Sequence, residues 1–158
     1  MFFVSRYAII DSTSLGGQIN TLERRHNMSE NQEFDRWNEV KKSLSKRKNP
    51  PSIKEGEVWW HAAGKNIGVE VNGKDLKFAR PVLILKKLSR LGFLGIPLTS
   101  QHHQGEWYVR FDFLNKTQFA NLSQARTMSA LRLYNKMGTV PDSDLELVRQ
   151  GFKNLFCS

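Results

Sequence analysis

Four short polar groups stand out for what their side chains could do together. They are Glu70 in Gly68-Val69-Glu70, Arg80 in Arg80-Pro81-Val82, Thr99-Ser100 after Pro97-Leu98, and Gln124 with Arg126 in Gln124-Ala125-Arg126-Thr127. An arginine can hold a phosphate oxygen bidentately, a carboxylate can take the proton of a ribose 2′-hydroxyl, and a threonine hydroxyl can steady the same phosphate. Cleavage of a phosphodiester by an internal hydroxyl requires no further parts. Each residue also has an ordinary explanation: Arg80 as half of a strand-edge salt bridge, Glu70 as the other half, Thr99 as a turn former. Side-chain chemistry alone leaves both readings open.

Other chemistries find less support. The histidines are His26, His61, His102 and His103, and none forms a helical i, i+4 pair or joins a carboxylate cluster of ligand spacing, so no metal or other cofactor is expected. His102 and His103 read as part of a solvated polar turn. No G-x-S-x-G elbow is present, and Gly64-Lys65 lacks the upstream glycines of a phosphate-cradling loop. Cys157 is the only cysteine, which excludes a disulfide within one chain and favours a reducing cytoplasm. The opening MFFVSRYAII is interrupted by Arg6 and followed by Asp11, too short an apolar run for a membrane span or an export signal. A formal charge of +9 draws polyanions or an acidic protein, or serves solubility alone.

The candidate residues need elements to position them. After Ser52 the chain becomes a succession of short β-prone runs, at Glu57 to Ala62, Ala79 to Lys86, Leu91 to Leu98, Glu106 to Phe113 and Gln118 to Gln124. Val82-Leu83-Ile84-Leu85 is apolar throughout and predicts a central strand. Trp107, Val109, Phe111 and Phe113 alternate with polar neighbours, the pattern of a half-buried antiparallel strand. Short strands without long intervening helices predict a small, strongly bent sheet or barrel. Two helices flank it. Ser29-Glu30-Asn31-Gln32 fits a capping box ahead of Phe34, Trp37, Val40 and Leu44, predicting a helix over about 30 to 47 that ends in the basic cap Lys46-Arg47-Lys48 before Pro50-Pro51. Leu145, Val148, Phe152 and Leu155 predict an amphipathic helix at the C-terminal end, with Gly151 inside it at a cost of roughly 1 kcal/mol.

The order of these pieces resembles the PemK/MazF family of toxins. Gly56-Glu57-Val58-Trp59-Trp60, Gly68-x-Glu70, Arg80-Pro81-Val82-Leu83, Pro97-Leu98-Thr99-Ser100, Ser123-Gln124-x-Arg126-Thr127 and Gly138-Thr139-Val140 follow one another at compatible spacing over about residues 53 to 156. The resemblance implies a mainly β, SH3-like small barrel with helices, dimeric, with an N-terminal helical extension in this chain. It also implies metal-independent cleavage of single-stranded RNA, commonly mRNA, and control by a cognate acidic antitoxin. Position by position, it makes Arg80, Thr99 and Glu70 the catalytic set, with Ser100 and Gln124 lining the same groove. Arg126 and Lys65 are expected to add cations to the RNA-binding surface. The chain departs from the family in having Val71 where Gln often follows the Glu, a longer loop from Glu70 to Arg80, and Ser123 where some relatives carry Asp. Alternative functions are a gyrase-binding toxin of the CcdB type, which shares the barrel, and a non-catalytic SH3-like binding module.

Three segments follow: 1–28 as a disordered or non-native extension, 29–52 as the N-terminal helix and linker, and 53–158 as the toxin-like domain. Residues 1–27 show no periodicity, and Met28 is expected as the natural start. Purine-rich codons for Glu23-Arg24-Arg25 would fit a ribosome-pairing site upstream of it. The alternative is a native arm that adds Arg6, Arg24 and Arg25 to an RNA-binding field.

Overall fold

The computed structural model describes residues 28–157, so the expectations for residues 1–27 lie outside the described residues. Helix α1 spans Glu30–Ser45 and opens with the expected capping box. The Gln32 amide donates to Ser29 Oγ at 3.3 Å, and the Ser29 amide donates to Gln32 Oε1 at 2.8 Å. These bonds satisfy two of the donors that a helix N-terminus otherwise leaves unpaired. The basic run after the helix is structural at Arg47, whose Nη1 donates to the carbonyls of Leu131 and Leu133 at 3.1 and 2.8 Å.

Seven antiparallel strands follow: β1 Glu57–Ala62, β2 Ala79–Lys87, β3 Gly92–Thr99, β4 Tyr108–Phe113, β5 Lys116–Asn121, β6 Arg126–Ser129 and β7 Leu133–Thr139. Their order is β4-β5-β3-β2-β1-β7, with β6 paired to β3. The expected small barrel is thus a strongly bent sheet that does not close. Strand β2 is central, as its apolar run predicts, and it buries residues on both faces. Leu83 and Leu85 join Val58, Ile96, Leu98, Phe111 and Phe113 on one side, while Val82 and Ile84 join Ile53, Trp59, Phe93 and Met128 on the other. A strand read as alternating in and out would carry only one of these sets.

Helix α2, Asp142–Phe156, closes the first core with Leu145 and Val148. Gly151 has a packing reason. A Cβ there would stand 2.6 Å from Val109 Cγ2, so glycine lets the helix approach β4. On the opposite side α1 seats Trp37 and Leu44 against Ala62 and Phe78. Gly64, at φ +102°, passes under the Trp37 indole, and a Cβ there would meet the ring at 2.7 Å.

Three sequence expectations change. The fifth β-prone run is β5 followed by a 3-10 turn, Leu122–Gln124: the Leu122 amide makes the last bond in register with β4, to the Trp107 carbonyl, and the Ala125 amide then turns back onto the Leu122 carbonyl at 3.0 Å. Strands β6 and β7 are additional; both run at the sheet margin with few apolar residues. Trp107 precedes β4 and is 55% exposed, so the alternating pattern reaches the core through Phe111 and Phe113, with Val109 half-buried against it. Among the described residues no helix is long and apolar enough to cross a membrane.

Candidate active site

Two prolines shape the cleft. Pro81 of β2 lies opposite Trp60 of β1, and Pro97 of β3 lies opposite Val82. Neither can donate to a ladder, and the β2–β3 pairing ends at the Val82–Pro97 pair. Beyond it the strands diverge: residues 79–81 pair with β1, and Leu98-Thr99 pairs with Ala120 and Phe119 of β5. Arg80 stands on one prong of this fork, Thr99 and Ser100 on the other. They line a single cleft of about 200 Å³ with Lys74, Lys116 and Trp60.

Arg80 is half-buried, and burial lowers its pKa from the usual arginine value. It stays a cation in proteins all the same. Its Nε donates to the Asn72 carbonyl at 2.8 Å, which orients the guanidinium and leaves both terminal nitrogens for a ligand among the described residues. No carboxylate lies within ion-pair distance of it there, so the salt-bridge explanation of Arg80 and Glu70 does not hold. Thr99 is a turn former, as its ordinary reading has it. Its Oγ1 accepts from the Gln101 amide at 3.2 Å, fixing a turn, while its own proton is available to a phosphate.

Glu70, Gln124, Lys65 and Arg126 do not line this cleft. Glu70 is exposed on the loop between β1 and β2, two residues from the Asn72 carbonyl that Arg80 holds. Gln124 clamps that loop, accepting from the Val71 amide and donating to the Val69 carbonyl, both at 3.3 Å. Lys65 ties its start to α1 through Glu33 at 2.6 Å. Arg126 opens β6 on another face, opposite Gly95 of β3. The loop is held by its own hydrogen bonds. The Asn66 amide donates to Asn72 Oδ1 at 2.6 Å, and Asn66 Nδ2 donates to the Val71 carbonyl at 2.7 Å.

Over residues 54–156 the chain matches the family of PemK-like, MazF-like toxins of type II toxin–antitoxin systems. The chain belongs to that family. Among solved structures, this PemK/MazF-like toxin is similar to MazF from Deinococcus radiodurans, at 19% identity over 70% of this chain and 100% of that one, with a TM-score of 0.55. It is also similar to an endoribonuclease from a mycobacterial species, at 14% identity over 68% and 93% of the two chains, with a TM-score of 0.51. At such identities the likeness is one of fold. No match is found among curated proteins.

The fork of the PemK/MazF-like body contains residues that sequence reasoning passes over. Lys74 and Lys116 sit in or beside turns, where a lysine reads as a solubility feature, yet both face the cleft with Arg80. Trp60 is the outward member of a Trp-Trp pair and is 36% exposed, offering a ring face on which a base can stack. Among the described residues no histidine lines the cleft. His102 is exposed and His103 half-buried in the loop before β4, His103 stacked on Tyr108 at 4.3 Å and His102 edge-on against Phe119 at 5.5 Å. His61 is buried with neither ring nitrogen hydrogen-bonded among the described residues. Among those residues no three His, Cys, Asp or Glu side chains converge as metal ligands do.

Proposed function

We propose that this toxin is an endoribonuclease that cleaves single-stranded RNA, mRNA included, without a metal ion. The observation that carries the reading is Arg80: a half-buried cation with no carboxylate partner among the described residues, in a cleft with two lysines, two hydroxyl side chains and an aromatic face. An unpaired charge in such a place costs free energy until an anion arrives. A scissile phosphate is the anion that this donor set fits, with Arg80 bidentate, Thr99 and Ser100 on the remaining oxygens and the preceding base on Trp60.

In the reaction, Glu70 or a water that it orders accepts the proton of the ribose 2′-hydroxyl. That oxygen attacks the adjacent phosphorus, the bond from phosphorus to the 5′-oxygen breaks, and the departing oxygen takes a proton from water. The products are a 2′,3′-cyclic phosphate and a 5′-hydroxyl. Arg80 stabilises the charge that grows on the phosphoryl oxygens. Gln124 acts by holding the loop that carries Glu70.

Control falls to a cognate acidic antitoxin whose carboxylates cover the cleft, which the family and the +9 charge both favour. The working form is a homodimer in the cytoplasm. The solved structures include a mycobacterial endoribonuclease with its cognate antitoxin and a MazE–MazF complex from Deinococcus radiodurans. Incubation of the purified protein with a long RNA in EDTA, followed by primer extension, tests the reading. Discrete ends bearing 5′-hydroxyls are expected, and their absence, or a strict need for Mg²⁺, would sink it. Gyrase inhibition without RNA cleavage would establish the CcdB-type alternative instead.

A further inference from the structure

A second cleft, of about 440 Å³, lies between α1 and the β6 edge of the sheet. Helix α1 contributes Trp37, Lys41 and Ser45, and the β6 side contributes Arg126, Ser129 and Arg132. Arg132 lies 5.2 Å over the Trp37 ring and donates Nη2 to the Ala63 carbonyl at 3.3 Å. Burial lowers its pKa, and the charge of Arg126 adds to the effect. Two guanidiniums and an ammonium therefore share one recess. No Asp or Glu lines it, and among the described residues none of the three cations has a carboxylate within ion-pair distance. Elsewhere the molecule pairs such charges, as Lys65 with Glu33 and Lys136 with Glu57.

We infer that this cleft is a second phosphate site, which holds the RNA strand away from the linkage being cleaved and which exists only because α1 forms its outer wall. The inference rests on the ribonuclease reading. Three features favour an RNA backbone over an acidic peptide. The cations stand beside a neutral donor, the hydroxyl of Ser129, whose oxygen accepts from the Leu131 amide and whose proton is left for an oxygen of a phosphodiester. The recess has the volume of a nucleotide-sized ligand. Finally, one loop borders both clefts, with Asn66 in this one and Lys74 in the fork, so a strand leaving Arg80 along that loop reaches the second recess. Residues 28–53, which include α1, lie outside the family match, so one wall of this site is added to the matched toxin body and the other belongs to it.

The test compares affinities for two uncleavable 2′-O-methyl RNAs, one short enough to fill the fork alone and one long enough to reach past the loop. Lys41 and Arg126 are exposed, so the double variant Lys41→Gln/Arg126→Gln should melt with the wild type. It should reduce the preference for the longer RNA about tenfold and flatten the salt dependence for that RNA by roughly 0.7 per cation removed. An unchanged preference would overturn the second site, as would a loss confined to antitoxin binding. Cleavage of RNA by the wild type, assayed beside these titrations, keeps the two questions apart: without it the ribonuclease reading fails and the second site fails with it, whereas cleavage with an unchanged preference removes only the second site.

Discussion

The β1–β2 ladder has two ends with opposite treatments of charge. At one end Glu57 is buried and accepts from Lys136 at 2.7 Å, Trp59 Nε1 at 2.9 Å and the Lys54 amide at 3.0 Å. Beside it Glu55 takes Arg149 at 2.7 Å, Lys86 at 3.1 Å and the Lys87 amide at 3.0 Å. Burial pushes the Glu57 carboxyl upward, but its three donors outweigh that and hold its pKa below the usual value. At the other end Arg80, Lys74 and Lys116 face a cleft that no carboxylate lines. A protein with a +9 charge therefore spends carboxylates where they join β1 to β7 and α2, and leaves the fork without any. The first end meets its carboxylates with donors, and the second leaves its cations without a carboxylate among the described residues.

The comparison is broken most directly at Arg80. Arg80→Ala should lower the RNA cleavage rate by roughly 10³-fold, in line with the loss of a charge-assisted phosphate contact, and leave the melting temperature nearly unchanged. Wild-type rates from the folded variant would show that the unpaired cation serves no reaction. Glu70→Gln, on the loop beside the cleft, should cost about 10²-fold, the usual worth of a general base that acts directly or through a water. Activity within a few-fold of wild type would remove Glu70 from the mechanism.

The opposite end should respond in the other currency. Glu57→Gln keeps the shape but weakens three bonds, and it should lower stability by about 2 kcal/mol, measured by urea unfolding, with the cleavage rate of the folded protein preserved. Equal stability would mean that the network is decorative. The smallest effect concerns His61, which lies opposite Arg80 in the β1–β2 ladder. Burial, with added repulsion from Arg132 and Arg126, pushes its pKa down to about 3 from 6.5. Between those values the unfolded chain binds the extra proton, so this contribution is complete above pH 6.5 and is lost as the pH falls towards 3. At pH 5.5 the loss should be about 1.4 kcal/mol. His61→Leu should abolish this part of the pH dependence between pH 5 and 7; an identical profile in the variant would mean that other groups produce it.

Much of this arrangement is legible in the sequence where local chemistry and tertiary context agree. The Ser29–Gln32 box starts α1, the apolar run at 82–85 makes the central strand, and Arg80-Pro81 with Pro97-Leu98-Thr99 names both prongs of the fork. The rest depends on neighbours far along the chain. Strand β7, Leu133–Thr139, is half polar and pairs with β1 through register shifts, so it lacks the alternation by which a strand is recognised. Lys65 looks like a free cation until Glu33 of α1 is brought to it. Gln124 looks like a groove residue, but its amide is used by the backbone at Val69 and Val71. Lys74 and Lys116 become site residues only because the strands diverge at two prolines.

The pairing order also sets when the toxin can exist. A nascent chain that has reached Asn121 already carries Arg80, Thr99, Lys116 and most of the cleft wall. It still lacks β7, which covers the outer edge of β1, and the Leu145 and Val148 side chains of α2 that complete the first core. The fork therefore gains its full support only once β7 and α2 have been added, so a ribosome making this protein does not meet the finished cleft while the chain has reached only β5.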